Sequence, residues 1–282
     1  DTANIFRILE EAWEPIYNLS DHKDSPWEHF VKEYNEFIPR GHNVPALDKL
    51  TGTMLYDYFK KRPAHKAGSL DGWTTRDAKQ LPVPVLDIFA VALNTVEEGA
   101  QWPESFCHQP QPILAKETGP KGRKPLKQRN LTLESIFYSA WVAVRFGDPA
   151  VTAWRESWTK PTMRGGRAKA STRDISYELA LAWERAHYEG QRIVSIFLDK
   201  AKCFDRINRT IMENLLIEMG MDARIVRARM RLHNASIRYF KIANKYSKGH
   251  TASNGIPQGC AFSIDDINAL MAVCLGAVQE QV

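Results

Sequence analysis

Apolar positions recur at helical spacing from the start of the chain to about residue 60. Ile5, Leu9, Ala12 and Trp13 line one face ahead of Pro15. Ser25-Pro26-Trp27-Glu28 has the form of a capping box with proline at the first helical position. Trp27, Phe30, Val31, Tyr34, Phe37 and Ile38 extend it as a stripe that Pro39 and Gly41 stop. Leu47, Leu50, Met54, Leu55, Tyr58 and Phe59 form a third stripe. Stripes this rich in aromatics predict core-facing helices and carry no chemistry of their own. The same periodicity predicts helices over about 83–96, 133–144, 174–187 and 267–278. Two more are predicted, one from an Asn208 cap to Met219 with Gly220 closing it, and one capped by Asp222.

Strand signals are fewer. Pro110 to Lys116 reads as a short strand ending in a lysine, and Ile237 to Ile242 alternates weakly. The sharpest signal is Arg192 to Arg206, R-I-V-S-I-F-L-D-K-A-K-C-F-D-R. Ile193, Val194, Ile196, Phe197 and Leu198 make a near-continuous apolar run interrupted only by Ser195, which predicts a strand buried on both faces. The run ends in Asp199, and Asp205 follows Phe204. A carboxylate at the open tip of a buried strand suits a divalent cation, because the strand fixes the backbone while the tip faces water. The alternative is that both acids cap the following turn and helix. Strands and helices mingle without a regular strand–helix–strand rhythm, so the expected fold class is α+β.

Composition changes this picture little. With 282 residues, 44% hydrophobic and 25% charged, the chain reads as a soluble globular protein of one large or two ordinary domains. No apolar run reads as long enough to span a bilayer and no signal-peptide leader follows Asp1, so no membrane partner is expected. Cys107, Cys203, Cys260 and Cys274 show no C-x-x-C pair and no histidine at ligand spacing. That argues against zinc and against a disulfide framework, and fits an intracellular, reducing compartment, nuclear or cytoplasmic.

The distribution of charge changes it more. A net charge of +5 is mild, but the positive residues are bunched. Gly119 to Arg129 contains no acid and predicts a tight hairpin tip bearing Lys121, Arg123, Lys124, Lys127 and Arg129. Lys160 to Arg173 is a second basic stretch, with Arg164 and Arg167 flanking Gly165-Gly166, a pair that lets backbone come close to a partner. A third runs through Arg224, Arg227, Arg229, Arg231, Arg238 and Lys241. Basic runs are usually solvated faces. Several of them flanking one carboxylate-bearing stretch suit a groove that neutralises a phosphate backbone.

The order of the motifs resembles that of reverse transcriptases, particularly those of non-long-terminal-repeat retrotransposons and group II introns. D-K-A-K-C-F-D at Asp199 to Asp205 resembles their D-x-x-K-A-F-D, and N-G-I-P-Q-G-C-A-F-S at Asn254 to Ser263 resembles G-V-P-Q-G followed by x-P-L-S-P. Upstream, K-A-G-S-L-D-G-W at Lys66 to Trp73, I-L-A-K at Ile113 to Lys116, R-N-L-T-L at Arg129 to Leu133 and R-G-G-R-A-K-A-S-T-R-D at Arg164 to Asp174 resemble family segments in the family's order. The resemblance covers about residues 60–282.

The resemblance implies a right-hand polymerase: a helical N-terminal extension over 1–60, fingers over 61–190 and a partial palm over 191–282, with the thumb absent. It implies RNA-directed DNA synthesis by two-metal nucleotidyl transfer, with an RNA template, a DNA primer, deoxynucleoside triphosphates and magnesium. Asp199 then ligates magnesium, the backbone at Lys200 and Ala201 faces the triphosphate, and Phe204 floors the sugar. Lys116 and Arg129 bind the triphosphate, while Gln258 and Gly259 position template and nucleotide. Asp205 is architectural on this reading. Lys121, Arg123, Lys124, Arg164 and Arg167 are the nucleic-acid contacts.

The chain departs from the family at Asn130, Ala261 and Ile264, where prolines are usual, and at Cys203, where alanine is usual. The family also needs an aromatic-x-Asp-Asp turn. The one Asp-Asp pair here, Asp265-Asp266, follows Gln258 too closely and falls where the family places a helix, so it reads as a helix start. The remaining magnesium ligands are expected beyond Val282, and residues 1–282 alone are expected to polymerise little or not at all. Two other readings stay open. One is a non-catalytic RNA-binding protein derived from such an enzyme. The other is an RNA-dependent RNA polymerase, which Phe204 and the P-Q-G turn disfavour.

Overall fold

A small sheet among many helices organises the computed structural model, which describes residues 1–19, 26–41, 44–65, 67–167 and 169–280. The first helix, α1 (Thr2–Tyr17), is capped by the Asp1 carboxylate, which accepts from the Ala3 N–H at 3.2 Å. It runs through Pro15 instead of stopping there, since burial of Ile16 and Tyr17 outweighs the hydrogen bond that proline removes. α2 (Pro26–Tyr34) passes into a tight turn at Asn35–Phe37. Its expected cap, Ser25, lies outside the described residues, as do Lys66 and Ala168 of the family-like segments. α3 (Gly52–Lys61), the short α4 (Thr75–Ala78), α5 (Val83–Glu97) and the short α6 (Glu104–Cys107) then lead to β1 (His108–Ala115).

Beyond β1 the basic stretch forms two short turns, Pro120–Arg123 and Pro125–Lys127, and returns as β2 (Gln128–Asn130), antiparallel to β1 with Ala115 opposite Gln128. The hairpin expected there is thus formed. α7 (Ile136–Phe146), α8 (Pro149–Trp158) and α9 (Thr172–Tyr188) follow. α8 is a helix that the sequence reading passed over. Its signal was present in the Asp148 cap, Pro149 at the first position and the apolar spacing of Val151, Trp154 and Trp158. After α10 (Arg209–Glu218) and α11 (Ala223–Ala235) the chain returns as β3 (Ile237–Ile242), parallel to β1 with Arg238 opposite Gln109. β4 (Lys245–Tyr246) adds antiparallel to β3, giving the order β2-β1-β3-β4, and α12 (Phe262–Glu280) follows. The class is α+β, as expected.

The main core lies among the helices and includes Leu55, Phe59, Leu86, Phe137, Trp141, Trp154, Leu215, Ile225 and Phe262. A buried bidentate pair ties α5 to α7, with Arg145 Nε and Nη2 on the Glu97 carboxylate at 2.6 and 2.7 Å. A second, smaller core packs α1 on the sheet through Phe6, Leu9, Trp13, Tyr17 and Phe240.

Three expectations are overturned. Ile193–Leu198 is not a buried strand: residues 191–200 join no sheet, and Val194, Ile196, Phe197 and Leu198 are 76–84% exposed. A strand buried on both faces needs ladder partners beside it and layers above and below it, and the described residues supply neither. The third basic run is not a wholly solvated face either, although Arg227 is exposed. Arg229 and Arg238 point inward and are buried, Arg229 is paired with Asp266, and Arg224 is tied to Asp222. Finally, Phe262–Gln279 of α12 is long and apolar enough to cross a membrane by length and composition. Core helices pass the same test, and here Ala269, Ala272 and Val273 pack in the main core while Asp265 and Asp266 pair with Arg155 and Arg229.

Candidate functional site

Three segments distant in sequence are joined backbone to backbone just past β2. Leu131 bridges Gln258 in parallel, and the Thr132 N–H donates to the Gln258 carbonyl at 3.3 Å. The Gly255 N–H donates to the Ile207 carbonyl at 2.7 Å and the Ile256 N–H to the Phe204 carbonyl at 2.9 Å. These bonds fasten the 254–258 turn to the tight turn Phe204–Arg206. Position 255 has to be glycine: its φ is +86°, and a Cβ would lie 2.8 Å from the Asp205 carbonyl oxygen.

The joint is locked from behind by two side chains. Asn254 is fully buried. Its Nδ2 donates to the carbonyls of Ile16 at 2.7 Å and Asp205 at 2.6 Å, and its Oδ1 accepts from the Leu19 N–H at 2.7 Å. Arg209, also buried, donates to the carbonyls of Ala252, Asn254 and Gly255 at 2.8–2.9 Å. Burial and the neighbouring Arg238 push its pKa down to about 9. In the sequence Asn254 belongs to the N-G-I-P-Q-G stretch with no role of its own, and Arg209 is one residue of the helix that Asn208 caps. The N-G dipeptide was the available sign of a fixed turn.

A cavity of about 610 Å³ opens over this joint. Of the residues expected at a nucleotide site, Lys116, Arg129, Asp199, Lys200, Phe204, Gln258 and Gly259 line it, and Ala201 does not. Lys116 extends from the end of β1 and Arg129 sits on β2, so the hairpin presents both from one side. Phe204 packs against the main core from a half-buried position, which fixes its ring. Lys202 and Asp205 complete the lining that matters electrostatically. Asp205 is buried and accepts from Gln258 Nε2 at 3.0 Å. Burial raises its pKa, while Lys202, Arg238 and Lys116 pull the other way. That places it inside the framework. Burial, with help from Lys116, brings the Lys202 ammonium down to about 8.

Asp199 stands exposed at the end of the unpaired 191–200 segment. Among the described residues, no group of three or more carboxylate, imidazole or thiolate side chains gathers to hold a metal. With Asp205 engaged by Gln258, Asp199 is the open carboxylate of this cavity, and hard cations such as magnesium require more oxygen ligands than it offers. These residues by themselves do not fit a two-magnesium site.

The predicted nucleic-acid contacts fall in two places. Lys121, Arg123 and Lys124 are exposed on the turns between β1 and β2. Arg164 and Arg167 edge a separate concavity of about 260 Å³ with Lys169. Arg164 is paired with Glu178, and Arg167 donates to the Lys160 carbonyl at 3.1 Å. The partner that Gly165-Gly166 approaches is α12 of the same chain. The Gly165 carbonyl accepts from Asn268 Nδ2 at 2.8 Å, and a Cβ on Gly166 would run into Ile264, a wall of the cavity.

No protein-family model matches the chain, and comparison with curated proteins finds no match.

Proposed function

We propose that this chain forms the fingers and part of the palm of a retroelement reverse transcriptase, and that the cavity over the 204–207 and 254–258 turns receives the incoming deoxynucleoside triphosphate. One observation carries the reading: Lys116, Arg129, Phe204 and Gln258, taken from four separate motifs, line the same cavity. Lysine and arginine on one side suit a triphosphate through charge-assisted bonds, and an aromatic ring fixed by the core suits the sugar. RNA template and DNA primer would lie along the exposed Lys121, Arg123 and Lys124 and the concavity edged by Arg164 and Arg167. Asp199 would contribute one magnesium ligand. The remaining carboxylates would come from an aromatic-x-Asp-Asp hairpin following residue 282, and pairing with that hairpin would cover the apolar run Ile193–Leu198.

The test has two arms. The parent polypeptide, including sequence after residue 282, should extend a DNA primer on an RNA template, and Asp199→Asn should abolish extension. The 1–282 chain should bind a deoxynucleoside triphosphate more weakly after Lys116→Ala or Arg129→Ala. A parent without primer extension, together with nucleotide binding indifferent to both substitutions, would sink the proposal.

A second reading, a non-catalytic RNA-binding protein of the same descent, draws support from Asp199 as the one open carboxylate of the cavity and, separately, from the exposed basic turns between β1 and β2. Salt-dependent RNA binding untouched by Asp199→Asn, with no extension by the parent, would favour it.

A further inference from the structure

Helix α1 belongs to the region for which the sequence suggests no chemistry and lines no part of the cavity, yet it holds one of the residues that do, Lys202. Trp13 is 1% exposed, and its indole Nε1 donates to the Pro125 carbonyl at 3.3 Å, within the basic turns between β1 and β2. On its ring sits the Lys202 ammonium, 3.8 Å from the centroid, close enough for a cation–π contact. The same ammonium donates to the Gln128 carbonyl at 3.3 Å. Lys202 adopts a left-handed φ of +54°, and its carbonyl accepts from the N–H groups of Asp205 and Arg206, both at 3.1 Å. One side chain therefore joins the 199–207 turn, the start of β2 and α1.

We propose that Lys202, seated on Trp13, is a further cation of the polyphosphate subsite, and that α1 is thereby part of the nucleotide site; this rests on the reading of the cavity given above. The charges around Lys202 are unbalanced. Lys116 and Lys127 repel it against one attracting carboxylate, Asp205, whose hydrogen bond from the neutral Gln258 amide leaves its charge in place. Lys127 is paired with Glu117 at 3.3 Å, while Lys116, Lys200 and Lys202 line the cavity, and of these Lys202 is the one seated on an aromatic ring. A polyanion bridging these ammonium groups would relieve the repulsion and add counter-charge. The indole face holds the ammonium without neutralising it. That arrangement serves a phosphate ligand better than an internal carboxylate would, because a carboxylate would compete for the same cation.

The experiment is calorimetric titration of the 1–282 chain with inorganic tripolyphosphate and, separately, dATP, without magnesium. Lys202→Gln should weaken tripolyphosphate binding about tenfold, as loss of a charge-assisted contact does, while Lys202→Arg should stay within about threefold of the parent chain. Trp13→Leu should weaken binding and Trp13→Phe should largely retain it, since only the latter keeps an aromatic face. Lys79→Gln, whose side chain is not among those lining the cavity, should change nothing. Lys202→Gly, which frees the left-handed backbone, separates charge from turn strain and should bind as poorly as the glutamine variant. If Lys202→Gln binds like the parent chain while Lys116→Gln loses affinity, this proposal is wrong and the nucleotide site stands. If neither lysine matters, this proposal falls, and the nucleotide site falls with it once Arg129→Ala is equally silent and the parent polypeptide fails to extend a primer.

Discussion

Asn254 is the most exacting test of how the site is held. Asn254→Leu keeps roughly the volume of the side chain and removes every hydrogen bond that side chain makes, while the backbone bonds of position 254 to Tyr17 and Arg209 remain. Ile16 is near the end of α1, where the last carbonyls have no partner within the helix, so Asn254 acts as their cap. The Asp205 carbonyl is packed against Gly255. Two buried acceptors lose their donor at about 1–2 kcal/mol each, and the Leu19 N–H, on a more exposed residue, loses its acceptor at somewhat less. The expected loss is about 3–5 kcal/mol, a large part of the roughly 5–15 kcal/mol that holds a typical protein folded. Asn254→Asp should be at least as damaging, because it keeps an acceptor but sets a carboxylate against two carbonyl oxygens. Urea denaturation followed by tryptophan fluorescence measures the global loss. Hydrogen exchange over residues 2–17 shows whether α1 detaches first. A change below about 1 kcal/mol with α1 amides still protected would refute the idea that Asn254 joins α1 to the turn.

Other predictions follow from the same contacts. Val194→Glu and Phe197→Lys, at positions 84% and 76% exposed, should alter stability by less than about 0.5 kcal/mol and reduce concentration-dependent self-association in sedimentation, since an exposed apolar edge invites pairing. Removing one member of the buried Arg229–Asp266 pair, by Arg229→Met or Asp266→Asn, should cost about 3–5 kcal/mol, whereas Arg229→Met with Asp266→Leu should recover much of it in a double-mutant cycle. His250 packs between Tyr17 and Phe240, at 5.5 and 4.6 Å between ring centroids, and burial with the nearby Arg238 lowers its pKa from 6.5 to about 4. The unfolded chain then binds the proton more readily between those values. Stability should therefore fall by up to about 3 kcal/mol as pH drops through that window, and denaturation of His250→Gln at pH 7 and pH 4.5 should show that component removed.

Periodicity in the chain reported most helices faithfully because their apolar faces meet one another in a single core, and 3.6-residue spacing is a local record of that burial. The caps at Asn208 and Asp222, each accepting from an N–H of the first turn, were legible for the same reason. Pairing in the sheet was less so. Pro110 to Lys116 and Ile237 to Ile242 were recognisable as strands, but nothing in either announces that β1 and β3 lie parallel with α7 to α11 between them in the chain. The run Ile193–Leu198 records an apolar composition without recording a partner, and composition alone cannot say whether a partner is present. Motif order pointed to Lys116, Arg129, Phe204 and Gln258. The residues that bring them together, Asn254, Arg209, Trp13 and Lys202, act through contacts across more than a hundred positions in some cases, such as Asn254 with Ile16. Contacts of that range leave no local pattern.

The parts of the candidate site differ in how firmly they are placed, and the difference bears on what each can do. Phe204, Asp205 and Gln258 sit on turns fastened by backbone hydrogen bonds and closed by buried Asn254 and Arg209, so a ring and an amide are presented in fixed positions. Lys116 and Arg129 share one hairpin, whose ladder sets their spacing. Asp199 has no such support, because the segment before it makes no ladder bond and exposes its apolar side chains. Binding tolerates a mobile ligand group at the cost of ordering it, but metal-assisted transfer needs carboxylates held to within a fraction of an ångström. On the proposed function, the groups assigned to the polyphosphate are therefore held more firmly than the carboxylate assigned to the metal. A strand that paired with residues 193–199 would at the same stroke bury their apolar faces and support Asp199 by a ladder, so that on the proposed function completion of the sheet and of the metal site would be one event.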